Sequence, residues 1–437
     1  MSVHLEQYIR TAPNPQSATI RMERLCAETG VVQRLESMPE PLRKDLVHIV
    51  SLSNFLFNFL LRHPDIIGCI GNTPGLEEDR DLSHLRDLDG LRLYKYQELL
   101  KITWMDISGQ FDYHEVLAAL SHLAIAIVRQ AMRLALTAED HQTFCQSLSV
   151  LALGKLGAHE LNFSSDIDLI FACVNPDQSL EEYQALQKTL FNCIRILIQA
   201  LEEKTADGFL YRVDLKLRPW GKSGPLCMAI DDTEHYYAVS SVPWERFAWV
   251  RARLIAGSEL LGDDLLLRMR PFVYRRSLST DDLSRFIAIK NEMSDARKRP
   301  GHWNVKVGDG GIRDIEFFVQ MLQIANGASH KPLQTHGTIA ALSALRQTGL
   351  ITEAERQEIL TSYLFLRRLE NRLQIVDERQ THDLPDERDK RLVLARSLAV
   401  NGDDDVEVLN NFEEALIAHR SIARKYFDRI LPGEKTG

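Results

Sequence analysis

The sequence predicts a mostly helical α+β protein, with a small α/β core over residues 146–270 between an N-terminal helical domain (1–145) and a C-terminal helical bundle (271–437). Three observations carry this. Apolar residues recur at helical spacing through the first and last thirds of the chain, the signature of amphipathic helices. Two short apolar runs, 150–153 and 167–174, bracket a glycine-containing loop, as two strands joined by a loop and a short helix do. Residues 211–218, YRVDLKLR, alternate without a break, the pattern of a strand with one buried face.

Composition sets the outer bounds. At 437 residues the chain is long enough for roughly two to four domains, and 45% hydrophobic with 26% charged residues is the balance of an ordinary globular protein. The net charge of −9 argues against a protein built mainly to bind nucleic acid, because duplex binders carry a basic surplus. Six scattered cysteines form no CxxC pair and have no histidine set nearby. Neither a disulfide framework nor a zinc site is indicated, and reduced thiols in a cytoplasmic protein are expected. The N-terminus, MSVHLEQYIRTAPNPQ, has no apolar signal region. The most apolar stretch, 117–136, carries His122, Arg129, Gln130 and Arg133, which suits an amphipathic helix and not a membrane span.

In the first third, residues 42–61 read as one helix that stops before Pro64, followed by helices over 91–107 and 113–136. His114, His122 and His141 lie on or near these elements. No acidic partners stand at ligand spacing around them, so they are read as ordinary surface or core histidines.

The core carries the chemistry. Gly154, Lys155 and Gly157 sit between the two strands, where close glycines let backbone N–H groups approach a phosphate and Lys155 adds positive charge. Asp166 and Asp168, two apart, share one face of a strand while Ile167 and Leu169 go inward. Carboxylates converging on one point repel unless a cation sits between them, and Mg²⁺ is the oxygen-loving ion such a site would hold against a nucleotide phosphate. A helix over 179–204 with the stripe Leu186, Leu190, Ile194, Leu197 and Leu201 leads to the 211–218 strand. There Arg212, Asp214, Lys216 and Arg218 share a face, which makes Asp214 a third metal carboxylate and Lys216 and Arg218 candidate phosphate ligands. The loop RPWGKSGPL, with Gly221, Lys222, Ser223 and Gly224, reads either as a second anion cradle or as plain turn chemistry. This is the geometry of metal-assisted nucleotidyl transfer.

The last third reads as helices. Thr280 is a candidate N-cap for 281–298, and Thr352 with Glu355 forms a capping box before a helix with the stripe Ile359, Tyr363, Leu366, Leu373 and Val376. In GDGGIRDIEFFVQ, Lys306 and Arg313 flank a helix opening near Asp314. Its N-terminus either receives a phosphate, or Asp314 and Glu316 are first-turn acids complementing the helix dipole. The basic clusters Arg275–Arg276 and Arg297, Lys298, Arg299 read as solvated faces or docking surface.

The blocks GKLGAHELNFSSDIDLIF, DGFLYRVDLKLRPWGKSGPL, WERFAWVRARLIAG, RPFVYRR, NVKVGDGGIRDIEFFVQ and YLFLRRLENRLQ resemble the bacterial bifunctional glutamine synthetase adenylyltransferase/adenylyl-removing enzymes. The match covers most of the chain from about residue 151 onward. The ELNFSSDID wording resembles the N-terminal, adenylyl-removing half. That resemblance implies an α/β nucleotidyltransferase core that removes AMP from a tyrosine of adenylylated glutamine synthetase by phosphorolysis. Inorganic phosphate would be the acceptor and ADP the product. It also implies Mg²⁺ on Asp166, Asp168 and Asp214, with Gly154, Lys155, Gly157, Ser164, Ser165, Lys216, Arg218 and Lys222 binding phosphate or nucleotide. The PII signalling protein, chiefly its uridylylated form, with glutamine and 2-oxoglutarate, would regulate it. No nucleic acid and no membrane are expected as partners. The alternatives are the forward, ATP-dependent adenylylation, or a module that only docks the synthetase or PII. Ala158 and His159 stand where the family usually has glycine and a small or basic residue. Family members carry two such cores and this chain carries one before ending LPGEKTG, so it is expected to hold one half.

Overall fold

The computed structural model describes residues 3–177, 179–274 and 302–430, with isolated positions at 284, 287 and 288. The helix expected over 281–298 and the basic clusters at 275–276 and 297–299 lie outside these described residues.

The N-terminal segment carries α1 (Val3–Thr11), α2 (Pro15–Cys26), α3 (Val31–Ser37), α4 (Glu40–Leu52), α5 (Asn54–Arg62), α6 (Leu88–Ile107), α7 (Tyr113–Ala135) and α8 (Ala138–Ser147), with a loop over 70–87. The single helix expected over 42–61 is two. Ser53 breaks it by adopting an extended backbone; its hydroxyl accepts the Leu56 N–H and donates to Ile375 O at 2.7 Å. A short side chain that satisfies backbone groups locally competes with helix continuation. Helix α7 starts at a capping box of Asp112 and Glu115. It is long and apolar enough to cross a membrane, but it is mostly buried within the protein.

Among the described residues five strands follow: β1 (Leu148–Ala152), β2 (Ile167–Cys173), β3 (Val213–Asp214), β4 (Cys227–Ala229) and β5 (Arg253–Gly257). The order is β3-β2-β1-β5, with β4 also beside β2. Strand β1 runs antiparallel to β2 and β5, whereas β3 and β4 run parallel to β2. Alternate residues serve two cores. Val150, Ala152, Ile167, Leu169 and Phe171 join the apolar core of the N-terminal helices, while Leu151, Leu153, Ile170 and Ala172 face a second core. Both faces are covered, which is why these strands read as continuous apolar runs. Between the strands lie α9 (Gly154–Gly157), α10 (Leu180–Glu202), α11 (Ile230–Val239) and α12 (Glu245–Val250), and α13 (Glu259–Val273) follows β5.

The strand expected over 211–218 stops after Asp214. The Asp214 carboxylate accepts the Lys216 N–H at 2.8 Å, and Arg218 N–H turns back to Leu215 O. This aspartate turn takes the backbone out of the ladder, so the alternation of the last four residues has no sheet to serve.

The C-terminal bundle comprises α14 (Ile312–Asn326), α15 (Thr338–Gln347), α16 (Glu353–Ile375), α17 (Arg388–Ser397) and α18 (Asp405–Asp428). The Thr352–Glu355 capping box opens α16 as expected. Its stripe holds only in part: Ile359, Tyr363 and Leu366 are fully buried, but Val376 is 36% exposed. In its second half, Arg367, Glu370, Asn371, Arg372 and Gln374 are buried alongside Leu369 and Ile375. Its polar residues meet polar side chains and loop backbone, while Leu369 and Ile375 join the apolar cores.

Candidate active site

The glycines after β1 are required by steric fit to the chain itself. Gly154 has φ +55°, and a Cβ there would lie 2.1 Å from Asp168 Oδ2; one on Gly157 would lie 2.0 Å from Arg251 O. The Gly157 N–H donates to Leu153 O, so Gly157 packs the turn against Arg251 and offers no amide to a phosphate. Gly154 lies on the cavity wall.

That cavity, of 570 Å³, brings Asp166, Asp168 and Asp214 together with Ser165 and Lys216. Asp168 and Asp214 are directly paired in the parallel β2–β3 ladder, so their side chains leave the sheet on the same face. Arg212 Nε donates to Asp166 Oδ1 at 2.5 Å, and Lys216 Nζ donates to Asp214 Oδ2 at 2.5 Å. Burial, reinforced by Asp214 and Asp166 and opposed by Lys306 and Lys155, raises the Asp168 carboxyl from 3.8 to about 6.

This donor set fits Mg²⁺. Three hard oxygen ligands face one space under electrostatic stress that a divalent ion relieves. The Lys216 ammonium beside Asp214, on a side chain 63% exposed, stands where such a cation would sit. A metal must displace the proton of Asp168, so the apparent Mg²⁺ affinity is expected to be flat above pH 6 and to fall by about tenfold per pH unit below it. Calorimetric Mg²⁺ titrations on either side of that pH check this; a pH-independent affinity removes Asp168 from the ligand set.

The other expected binding residues divide sharply. Ser165 lines the cavity, but Ser164 is spent on structure: its N–H reaches Gln374 Oε1, its hydroxyl donates to Glu378 O, and it accepts from Arg212. The Arg218 guanidinium donates to the carbonyls of Leu215, Lys222, Gly224 and Pro225. It staples its own loop, so the turn reading of RPWGKSGPL holds. Lys222 is exposed and outside the cavity lining.

Lys155 lines the cavity but turns its ammonium away, to Glu370 at 2.7 and 2.8 Å. Burial, only partly offset by Glu370, lowers it to about 7. Glu370 also accepts from Asn162 at 2.5 Å and lies 2.9 Å from His382 Nδ1. Burial alone would raise its carboxyl; Lys155, His382 and Arg367 outweigh that and hold it well below the usual range. The same face of α16 grips the rest of the loop. Asn371 Oδ1 takes the Phe163 N–H, Arg367 donates to Glu160 O and Asn162 Oδ1, and Tyr363 donates to Glu160.

The bundle completes the cavity with Lys306, Val307, Arg313, Glu316, Phe317, Gln320 and His382, which join Trp244, Phe247 and Arg251 in its lining. Arg251 lies 3.1 Å from Glu316. Burial would raise Glu316, but Arg251 and Arg313 carry it down to about 2. Asp314 is a first-turn acid of α14 and accepts the Gly310 N–H at 2.8 Å, whereas Glu316 is committed to its pair with Arg251. Gly311 is the N-cap of this helix and is not part of the cavity lining.

A family model described as glutamate-ammonia ligase adenylyltransferase matches residues 43–266, and one described as GlnD PII-uridylyltransferase matches residues 285–431. Among curated proteins, the bifunctional glutamine synthetase adenylyltransferase/adenylyl-removing enzyme of Thioalkalivibrio sulfidiphilus is 33% identical over 446 residues, covering 93% of this chain and 43% of that protein. The enzyme of the same description from Nitrosococcus oceani is 36% identical over 356 residues, covering 78% of this chain and 36% of that protein. The chain spans less than half the length of these relatives.

Proposed function

Because the chain belongs to the glutamine synthetase adenylyltransferase/adenylyl-removing family, we propose that its cavity transfers an adenylyl group from a tyrosine of glutamine synthetase to inorganic phosphate. The observation that carries this is the convergence of Asp166, Asp168 and Asp214 on a cavity that Lys306, Arg251 and Arg313 also line. A phosphate oxygen forms the new bond to the α-phosphorus, the bond from phosphorus to the tyrosine oxygen breaks, and the phenolate takes a proton. ADP and unmodified synthetase leave. Bound Mg²⁺ would neutralise charge on the phosphoryl oxygens and the leaving phenolate.

The protein's own residues place the two anions. Phe247 and Phe317, ring centroids 4.8 Å apart and 14° from parallel, give with Trp244 an apolar wall suited to a purine. Phosphate must compete with water while approaching an already anionic AMP group, which demands fixed positive charge beyond the metal. Lys306, which acts on Asp168, and Lys216, which pairs with Asp214, supply it. The ELNFSSDID wording favours removal over addition, and we assign the cytoplasm as its place of action and uridylylated PII as the partner that promotes removal.

Incubation with adenylylated glutamine synthetase, Mg²⁺ and phosphate tests the reading by the nucleotide released. ADP in amounts that track phosphate supports it, AMP independent of phosphate means hydrolysis, and ATP-dependent labelling of unmodified synthetase means the forward reaction. Within that assay, Lys216→Met is expected to raise the KM for phosphate by about tenfold with little change in that for adenylylated synthetase. Arg218→Ala, whose guanidinium only ties its loop, should lower the melting temperature instead. Equal shifts of both KM values for Lys216→Met would assign that lysine to the AMP group.

A further inference from the structure

Outside the cavity lined by the carboxylates, three segments distant in sequence bring Glu78, His122 and His159 together. One ligand atom from each lies within 4.8 Å of the others. The segments are the loop before α6, the middle of α7 and the turn after α9. His122 was read above as an ordinary helix histidine for want of an acidic neighbour at ligand spacing; the neighbours come from elsewhere in the chain.

The groups are set up as ligands in several independent respects. His122 Nδ1 lies 2.6 Å from Leu76 O. A carbonyl only accepts, so Nδ1 carries the proton and the lone pair is on Nε2, the arrangement that orients metal-binding imidazoles. His159 Nε2 is buried and has no hydrogen-bond partner among the described residues, and it lies 3.4 Å from Glu78 Oε2. Arg129 holds the other oxygen, Oε1, at 3.2 Å, and is itself anchored on Asp79 and on Ile255 O. That leaves Oε2 for a cation. Burial, aided by Arg253, holds the His159 ring far below its usual titration range, in the neutral form a metal needs. His159 also has φ +56°, a left-handed backbone that costs a residue with a Cβ on the order of 1 kcal/mol.

We propose that Glu78, His122 and His159 form a site for a borderline divalent metal, zinc by its ligand set. It would be separate from the Mg²⁺ acids and would tie the loop at 76–79 to the turn that leads into Asp166. Two imidazoles and one carboxylate select Zn²⁺ over Mg²⁺, which prefers oxygen. Zinc–ligand bonds of about 2.0–2.1 Å put ligand atoms roughly 3.4 Å apart in a tetrahedron, so side-chain shifts of about an ångström close the site. Its fourth position is open to water.

The test uses the full chain, stripped of metal and then kept in excess Mg²⁺ so that the acids are occupied. Zn²⁺ is titrated by calorimetry and Co²⁺ by visible absorption. One equivalent is expected to bind in the micromolar range or tighter, with Co²⁺ bands that Zn²⁺ abolishes and a Zn²⁺-dependent rise in melting temperature. His159→Gly, which relieves the left-handed backbone and so should fold, and His122→Gln should each weaken binding by about 10²-fold. Asp166→Asn should bind as wild type. The proposal is overturned if wild type takes up no Zn²⁺ under these conditions, if both histidine variants bind as wild type, or if the Asp166 variant alone loses the metal.

Discussion

Asp168→Asn is expected to lower turnover by about 10²-fold or more while leaving the protein folded, because one half-buried carboxylate is removed from the point where, in the proposed reaction, charge develops. The melting curve supplies a second, independent readout. In the native state the Asp168 carboxyl is raised from 3.8 to about 6, so the stability this group contributes is fully present below pH 3.8 and is lost as pH rises through 6. Asparagine has no such loss. In chelator above pH 6, the variant should therefore be more stable than wild type, by on the order of 2–3 kcal/mol. Near-normal turnover in a folded variant would take Asp168 out of the mechanism, and a variant less stable than wild type in chelator would make the residue structural.

The second large effect lies in the bundle. Glu370→Gln leaves Lys155, Arg367 and His382 around a neutral amide inside the protein, and removing one member of a buried charge network costs about 3–5 kcal/mol. Lys155→Met in the same chain removes the cation that most needs that carboxylate. The double variant should recover at least about 1 kcal/mol relative to the sum of the two single changes. Urea unfolding of the four proteins measures the coupling. If the two losses simply add, the 2.7 Å contact between Lys155 and Glu370 does not carry the energy assigned to it.

The parts of this molecule that could be read from its residues are those set by local pattern. Two strands around Gly154, the two-residue spacing of Asp166 and Asp168, the α10 stripe and the Thr352 capping box need only a few neighbours in sequence, and the structure places them as expected. Asp214 joins them because its register partner is Asp168, although its strand is two residues long and not eight. An alternating octapeptide looks the same whether or not its fourth residue folds back to cap a turn.

What was hidden is what long-range contact decides. Arg367, Glu370, Asn371 and Gln374 resemble the solvated side of a helix, since nothing near them shows that the partners are Lys155 and the backbone at 160–164. Arg218 shares an alternating face with Asp214 on paper, but the carbonyls of the following loop claim its guanidinium first. A signal was available for α16: Arg and Glu crowd into RRLENRLQ with few apolar residues to bury, which is odd for a helix that must pack.

The grip of α16 on the loop has a consequence for amide exchange. Phe163 and Ser164 belong to no helix or strand, and loop N–H groups normally exchange quickly with solvent water. Here their protons are held by Asn371 Oδ1 and Gln374 Oε1, from a helix about two hundred residues further along the chain. These two amides should exchange only when the bundle lifts from the core, so deuterium uptake at 163 and 164 reads the docking of the two parts directly. Any effector that loosens α16 would announce itself there, in the loop that leads into Asp166 and Asp168, before a change in the helix's own amides is detectable.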